Sequence, residues 1–306
     1  MIEKTPLISI VIRTKNEEKG LPKLLQCIRN QIIDKNYEII IVDSGSTDRT
    51  LEIAKKSKLK IIKIKSDTFS YGKALNIGIG NSLGDIVIFV SAHIMILSNS
   101  WLKNLIQPIL DENIKCTYGK LIGNSNVNPF EELLWKSMYP EKDKTFSKLT
   151  QSKSLKLSNS NAAYHKSIFK NLKFNENIPY AEDRLMGFQL LKKKIKIKYV
   201  HSSKTYHTHQ YKFKTNFLRS IKIGYSIDFI NFKIFNVKKS VIRIFYEFLK
   251  NNIGELLNYV KILLIKKNKK FLLNLCPNLI SKNSGRLIGE MLFSAQNDIL
   301  QLKKKN

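Results

Sequence analysis

The sequence predicts an α/β fold built on a mostly parallel sheet, and three observations predict it. Short apolar runs rich in Ile and Val recur at 7–12, 38–42, 59–64 and 86–90, each the right length for a buried strand and too short for a buried helix. Between them, apolar residues return at helical spacing. Strand and helix therefore alternate, which requires crossover connections and places ligands at the carboxyl ends of the strands. The chain has 306 residues, 43% hydrophobic and 25% charged. That is globular material for one large domain or a catalytic domain with an appendage, and it excludes wholesale disorder, collagen and disulfide scaffolds.

Taken in order, Leu7–Ile12 is a strand, and Gly20 opens a helix with Leu21, Leu24, Leu25, Ile28 and Ile32 on its inner face. Glu38–Val42 is the second strand, and Ser46-Thr47-Asp48 supplies cap chemistry for a helix through Ile53. Leu59–Ile64 is a strand, Gly72–Ile79 a helix, Ile86–Val90 a strand and Trp101–Leu110 a helix. Asp183–Lys194 reads as a later helix with Leu185, Met186, Leu190 and Leu191 inward. From about Asn236 the pattern is helical, basic and amphipathic.

Lys and Arg number 53 against 24 Asp and Glu, a net charge of +29. Residues 192–306 hold 25 of the basic residues and five of the acidic ones. Only seven of the basic residues are Arg, which argues against bidentate phosphate recognition as the source of the excess. An anionic membrane surface is the partner this charge fits best; a compositional bias and nucleic-acid binding are the rivals. Three widely spaced cysteines imply neither a disulfide framework nor a zinc site. Residues 1–12 carry no export-signal pattern, and no apolar run approaches the roughly 20 residues of a membrane span. A cytoplasmic protein is expected, peripheral at the inner face of the membrane.

The chemistry should follow the strands. Arg13-Thr14-Lys15-Asn16-Glu17 follows the first, and Asp43-Ser44-Gly45-Ser46 the second. A strand-end carboxylate can accept the imide N–H of a uracil or thymine ring, while Gly and hydroxyl residues let a nucleoside approach. The same residues are also what a capped βα turn requires. No Gly-x-Gly-x-x-Gly follows the first strand and no Walker sequence occurs, so no nicotinamide or flavin cofactor is expected.

Seven segments in order, 10–17, 41–48, 69–76, Ser91-Ala92-His93, Asn159-Ser160-Asn161-Ala162-Ala163, Glu182-Asp183 and His207-Thr208-His209, resemble the family 2 glycosyltransferases over about residues 7–230. The likeness is to the bacterial surface-polysaccharide, rhamnosyltransferase-like branch. It implies the GT-A fold at 1–235, with a basic helical extension at 236–306. It further implies an inverting transfer from a UDP- or dTDP-sugar to a glycan or polyprenyl-diphosphate-linked acceptor. By match to the family's positions, Thr14, Asn16, Glu17, Asp43, Ser44, Lys73, Asn76, Ser91 and His93 would bind the donor. Asn159 and Asn161 would line the acceptor side. Asp183, with Glu182, would be the catalytic carboxylates. Ser91-Ala92-His93 departs from the family's Asp-x-Asp. The resemblance therefore leaves two alternatives. Either a divalent cation (Mn²⁺ or Mg²⁺) is held by His93 with His207 and His209, or His93 and lysines neutralise the diphosphate without metal. A nucleotidyltransferase, a nucleic-acid-binding protein without catalysis and a degenerate transferase are the other readings; nucleic acid is not the expected partner.

Overall fold

A computed structural model describes residues 7–123, 135–136, 138–207, 213–237, 244 and 282–294. Its chain divides into two compact units, Met1–Asn177 with Glu182–His209, and Ile178–Ala181 with Gln210–Asn306.

The first unit is a mixed α/β sheet. Strands β1 (Ile8–Thr14), β2 (Tyr37–Asp43), β3 (Lys60–Lys63) and β4 (Ile86–Ser91) alternate with helices α1 (Leu21–Arg29), α2 (Thr50–Lys56) and α3 (Tyr71–Gly80). These four strands pair in parallel in the order β3-β2-β1-β4, as the alternation predicts. Helix α4 (Trp101–Asp111) and strands β5 (Met95–Ile96), β6 (Cys116–Ile122), β7 (Lys144–Phe146), β8 (Asn161–His165) and β9 (Ile197–Tyr206) complete the sheet, with α5 (Glu182–Lys192) between β8 and β9. The described order continues β4-β8-β6-β9-β5, with β7 also on β9. Strand β8 runs antiparallel to β4 and β6, whereas β6 and β9 are parallel. The start of β8 and the ends of β1, β2, β4 and β9 thus fall on one rim.

Alternation decides what each face of β1 packs. Ile8, Ile10 and Ile12 join Ile86, Ile88 and Val90 beneath Leu21, Leu24 and Leu25 of α1 and Trp101 and Leu105 of α4. Val11 faces the other way, so closely against Gly78 of α3 that a Cβ there would lie 2.5 Å from Val11 Cγ1. Beyond it, Phe89, Tyr164 and Phe174 meet edge to face.

Two expectations are corrected. Ile32 is not on the inner face of α1: the helix ends at Arg29 and Ile32 is 71% exposed. The helix after β2 begins at Thr50 with Arg49 at its N-cap and no side-chain cap bond there; of Ser46-Thr47-Asp48 only Asp48 serves the helix start, its Oδ1 accepting from the Thr50 N–H and hydroxyl. The inner face of α5 is as expected, with Leu185, Met186, Leu190 and Leu191 buried.

The second unit contains α6 (Phe213–Phe235) and a helix at 282–294. Gly285 and Gly289 lie against the backbone of α6, and Phe293 packs on Tyr225 and Phe229. The long α6 was not foreseen. The predicted amphipathic stretches at 241–249 and 253–265 lie outside the described residues except Ile244, which is buried. Among the described residues no helix is long and apolar enough to cross a membrane.

Candidate active site

The turn after β2 is organised by one carboxylate. Asp43 is 1% exposed. Its Oδ1 accepts the N–H groups of Gly45 (3.0 Å) and Ser46 (2.9 Å), and its Oδ2 accepts the hydroxyls of Thr14 (2.8 Å) and Ser46 (2.5 Å). Gly45 has φ +90°, and a Cβ there would fall 2.3 Å from Ser66 Oγ, so only glycine fits this turn. Ser44 bonds through its N–H and hydroxyl to the Thr14 carbonyl. Asn16, at φ +57°, accepts the Thr47 N–H through Oδ1 and donates its own N–H to Ser46. The two loops that the sequence singled out are therefore latched together.

The same latch reaches the next strand. Glu17 donates its N–H to the Thr50 hydroxyl oxygen, and its Oε1 lies 2.8 Å from His93 Nδ1. A carboxylate can only accept, so Nδ1 carries a ring proton, and in the neutral ring Nε2 is the nitrogen left with a lone pair. That Nε2 is 3.3 Å from Nε2 of His207, which is 3.3 Å from Ser160 Oγ; Ser160 Oγ is 2.9 Å from Ser91 Oγ. Trp135 meets the His207 ring edge-on at 6.1 Å.

Glu182 and Asp183 open α5 from the other side of the rim. Glu182 is buried, 3.6 Å from Arg13 Nη1. Asp183, half-buried, accepts the Arg184 N–H (2.7 Å) and the Asn159 N–H (3.4 Å). Burial, then the neighbouring Asp183 charge, raises the Glu182 carboxyl to about 7, and Arg13 opposes this; burial likewise raises Asp183.

The structure thus gathers Thr14, Asn16, Glu17, Asp43, Ser44, Ser91, His93, His207, Asn159, Glu182 and Asp183 along one rim. Two predicted residues, Asn161 and Asn76, are placed differently. Asn161 is fully buried, accepting Trp101 Nε1–H (2.9 Å) and donating to the Ser203 carbonyl (3.0 Å). A bulge at Gly119 admits it, since a Cβ there would lie 2.3 Å from Asn161 Nδ2. Asn76 clasps residues 174–176 through the Phe174 backbone and the Glu176 carboxylate. Lys73 is half-exposed in the first turn of α3, its N–H capped by Ser70. His209 lies outside the described residues. Sequence reasoning named Ser160 only within Asn159-Ser160-Asn161 and gave Arg13 no role. The signal for Arg13 was present, because it is the one charged residue in β1.

Can the rim hold a divalent ion? Among the described residues no three His, Cys, Asp or Glu side chains form a metal-binding group. Two imidazole nitrogens nevertheless converge, and the carboxylate behind His93 fixes its tautomer, as second-shell carboxylates do behind metal-bound histidines. The pair fits an ion that takes its remaining ligands from substrate oxygens, and suits Mn²⁺ better than Mg²⁺.

Known proteins share this architecture. Staphylococcus aureus TarS 1-349 in complex with UDP superposes with a TM-score of 0.55 at 23% identity, covering 71% of this chain and 65% of that one, just under two thirds. Glucosyl-3-phosphoglycerate synthase from Mycobacterium tuberculosis, in complex with Mn²⁺, UDP and glucosyl-3-phosphoglycerate, gives 0.56 at 19% identity, covering 77% and 82%. The fold is that of the GT-A glycosyltransferases. The family model described as Glycosyl transferase family 2 matches residues 9–173, and the chain belongs to that family. It is 29% identical over 224 residues to the O-antigen chain rhamnosyltransferase RfbN of Salmonella typhimurium, covering 71% of each.

Proposed function

We propose that this glycosyltransferase moves a sugar, with inversion, from a pyrimidine nucleotide donor to a glycan or lipid-linked acceptor in bacterial surface-polysaccharide synthesis. The observation that carries it is one rim bearing a nucleoside-type turn at Asp43 and a pair of carboxylates at the start of α5. The donor's base docks beside Asp43, where the imide N–H replaces the rotatable Ser46 hydroxyl on Oδ2; the two turn N–H groups stay on Oδ1. Ser44, Asn16 and Thr14 hold the turn in shape for the ribose, with Lys73 on the α3 side. The acceptor hydroxyl attacks the anomeric carbon as the bond to the diphosphate oxygen breaks. Its proton passes to Asp183, and the nucleoside diphosphate departs.

Asn159 orients Asp183 through its backbone N–H, and Asn161 anchors the strand behind it. His93 and His207, with His209, would hold a divalent ion, which supplies positive charge for the departing diphosphate. In the metal-free alternative, His93 and Lys73 supply that charge. The transferase occupies residues 1–235 and the basic extension 236–306. RfbN is named for rhamnosyl transfer, which supports a deoxyhexose as the sugar moved here.

A thermal-shift panel of UDP-, dTDP- and GDP-sugars, each with and without Mn²⁺, tests this reading. A pyrimidine donor at about 100 times its Kd stabilises the fold by about 2.7 kcal/mol, and GDP-sugars leave it unmoved. A gain from Mn²⁺ selects the metal-assisted alternative, and a flat panel overturns the proposal.

The charge of residues 192–306 supports a peripheral place at an anionic membrane. The full-length protein is expected to co-float with phosphatidylserine-containing vesicles and to leave them as salt rises. Equal recovery with neutral vesicles counts against it.

A further inference from the structure

Arg13 is hard to explain as packing. It sits at the penultimate position of β1, opposite Val42 and Ser91, with a side chain only 15% exposed. Its guanidinium lies over the Tyr71 ring, 5.2 Å from the centroid. Its Nη1 is 3.6 Å from Glu182 Oε1, too far for a hydrogen bond, and Nε and Nη1 are buried with no hydrogen-bond partner among the described residues. Unfilled buried N–H groups are costly, and a buried ion pair is seldom more stable than an apolar pair of similar volume. What this placement does provide is a fixed positive charge beside two adjacent carboxyls.

We propose that Arg13 is a positioning residue for transfer: its charge, held beside the Glu182–Asp183 pair, favours the pair's ionised form, so that Asp183 can accept the acceptor's proton. This rests on the transferase reading above. Among the described residues, the groups facing the pair are few. Strand β1 contributes Arg13, and the segment before β8 contributes Asn159. Within α5, Arg184 gives Asp183 its backbone N–H and turns its guanidinium onto Phe188. Tyr139 and Tyr164 also sense Asp183, and burial raises both phenols, so they stay neutral. Burial raises both carboxyls and Arg13 draws both down. Without Arg13, the pair holds its proton to higher pH.

The test is the pH–rate profile of full-length wild type, Arg13→Met, Arg13→Lys and the double variant Arg13→Met/Glu182→Gln. In Arg13→Met the acid limb moves up by about 1–2 pH units, so the rate on that limb falls at least about tenfold. Arg13→Lys retains most of the wild-type profile, and the double variant, lacking the like charge, returns toward it. A uniform drop in rate with an unmoved limb would show that Arg13 only packs.

A second readout needs no turnover. Because the folded carboxyl is raised from 4.5 to about 7, its contribution to stability is full below 4.5 and is lost as pH rises through 7. In Arg13→Met that loss extends upward by the same 1–2 units. If Tm follows pH identically in both proteins, the inference fails. If Tm shifts as stated but wild type transfers no sugar, the transferase reading fails instead.

Discussion

Asp183→Asn is expected to lower kcat by about 10²–10⁴-fold while leaving the donor-induced thermal shift intact. The substitution is isosteric, and the side-chain oxygen that accepts the Arg184 N–H can be kept by the amide. What disappears is the basic oxygen, since an amide cannot take a proton at neutral pH. The loss should appear in kcat, because the proton moves only during transfer. Glu182 does not substitute for it: that carboxyl is buried and set against Arg13. Single-turnover assays with saturating donor separate the steps. Near-full turnover in Asp183→Asn would mean that the base is another group.

Asp43→Ala is expected to act on binding and on the fold together. It removes the acceptor of four hydrogen bonds, leaving the Gly45 and Ser46 N–H groups and the Thr14 and Ser46 hydroxyls to find new partners. The hydroxyls can rotate toward water, but the N–H groups are fixed by a turn that holds Gly45 at φ +90°. A loss of about 3 kcal/mol in denaturant unfolding is expected, and the donor-induced shift should vanish. Asp43→Asn keeps one carbonyl oxygen for the N–H pair, and its amide can donate to both hydroxyls. It should therefore cost about 1 kcal/mol and bind donor weakly. Equal behaviour of the two variants would make the carboxylate's geometry irrelevant to the turn.

The first half of the sheet was legible because β1, β2 and β4 are buried Ile- and Val-rich runs, and such runs announce themselves locally. The second half was not. Strand β9 reads IKYVHSSKTY and β8 reads NAAYH, too polar to be recognised before their partners are known. Their polar residues are buried because the sheet supplies matching groups, as Ser203 and Thr205 do for Asn161. Asn76 and Asn161 were singled out by residue type and motif position, neither of which reveals whether an amide faces a cleft or the interior.

Motif order and residue type alone specify the family's fold and the adjacency of Glu182 and Asp183, and point to the strand ends for the chemistry, since these are local properties of short segments. Folding decides which groups act on one another. Arg13 meets Glu182, and His93 meets both Glu17 and His207, only after strands distant in the chain are hydrogen-bonded into one rim. Charge interactions depend on distances of a few ångströms and on exclusion of water, and neither is set until the sheet has closed over the site.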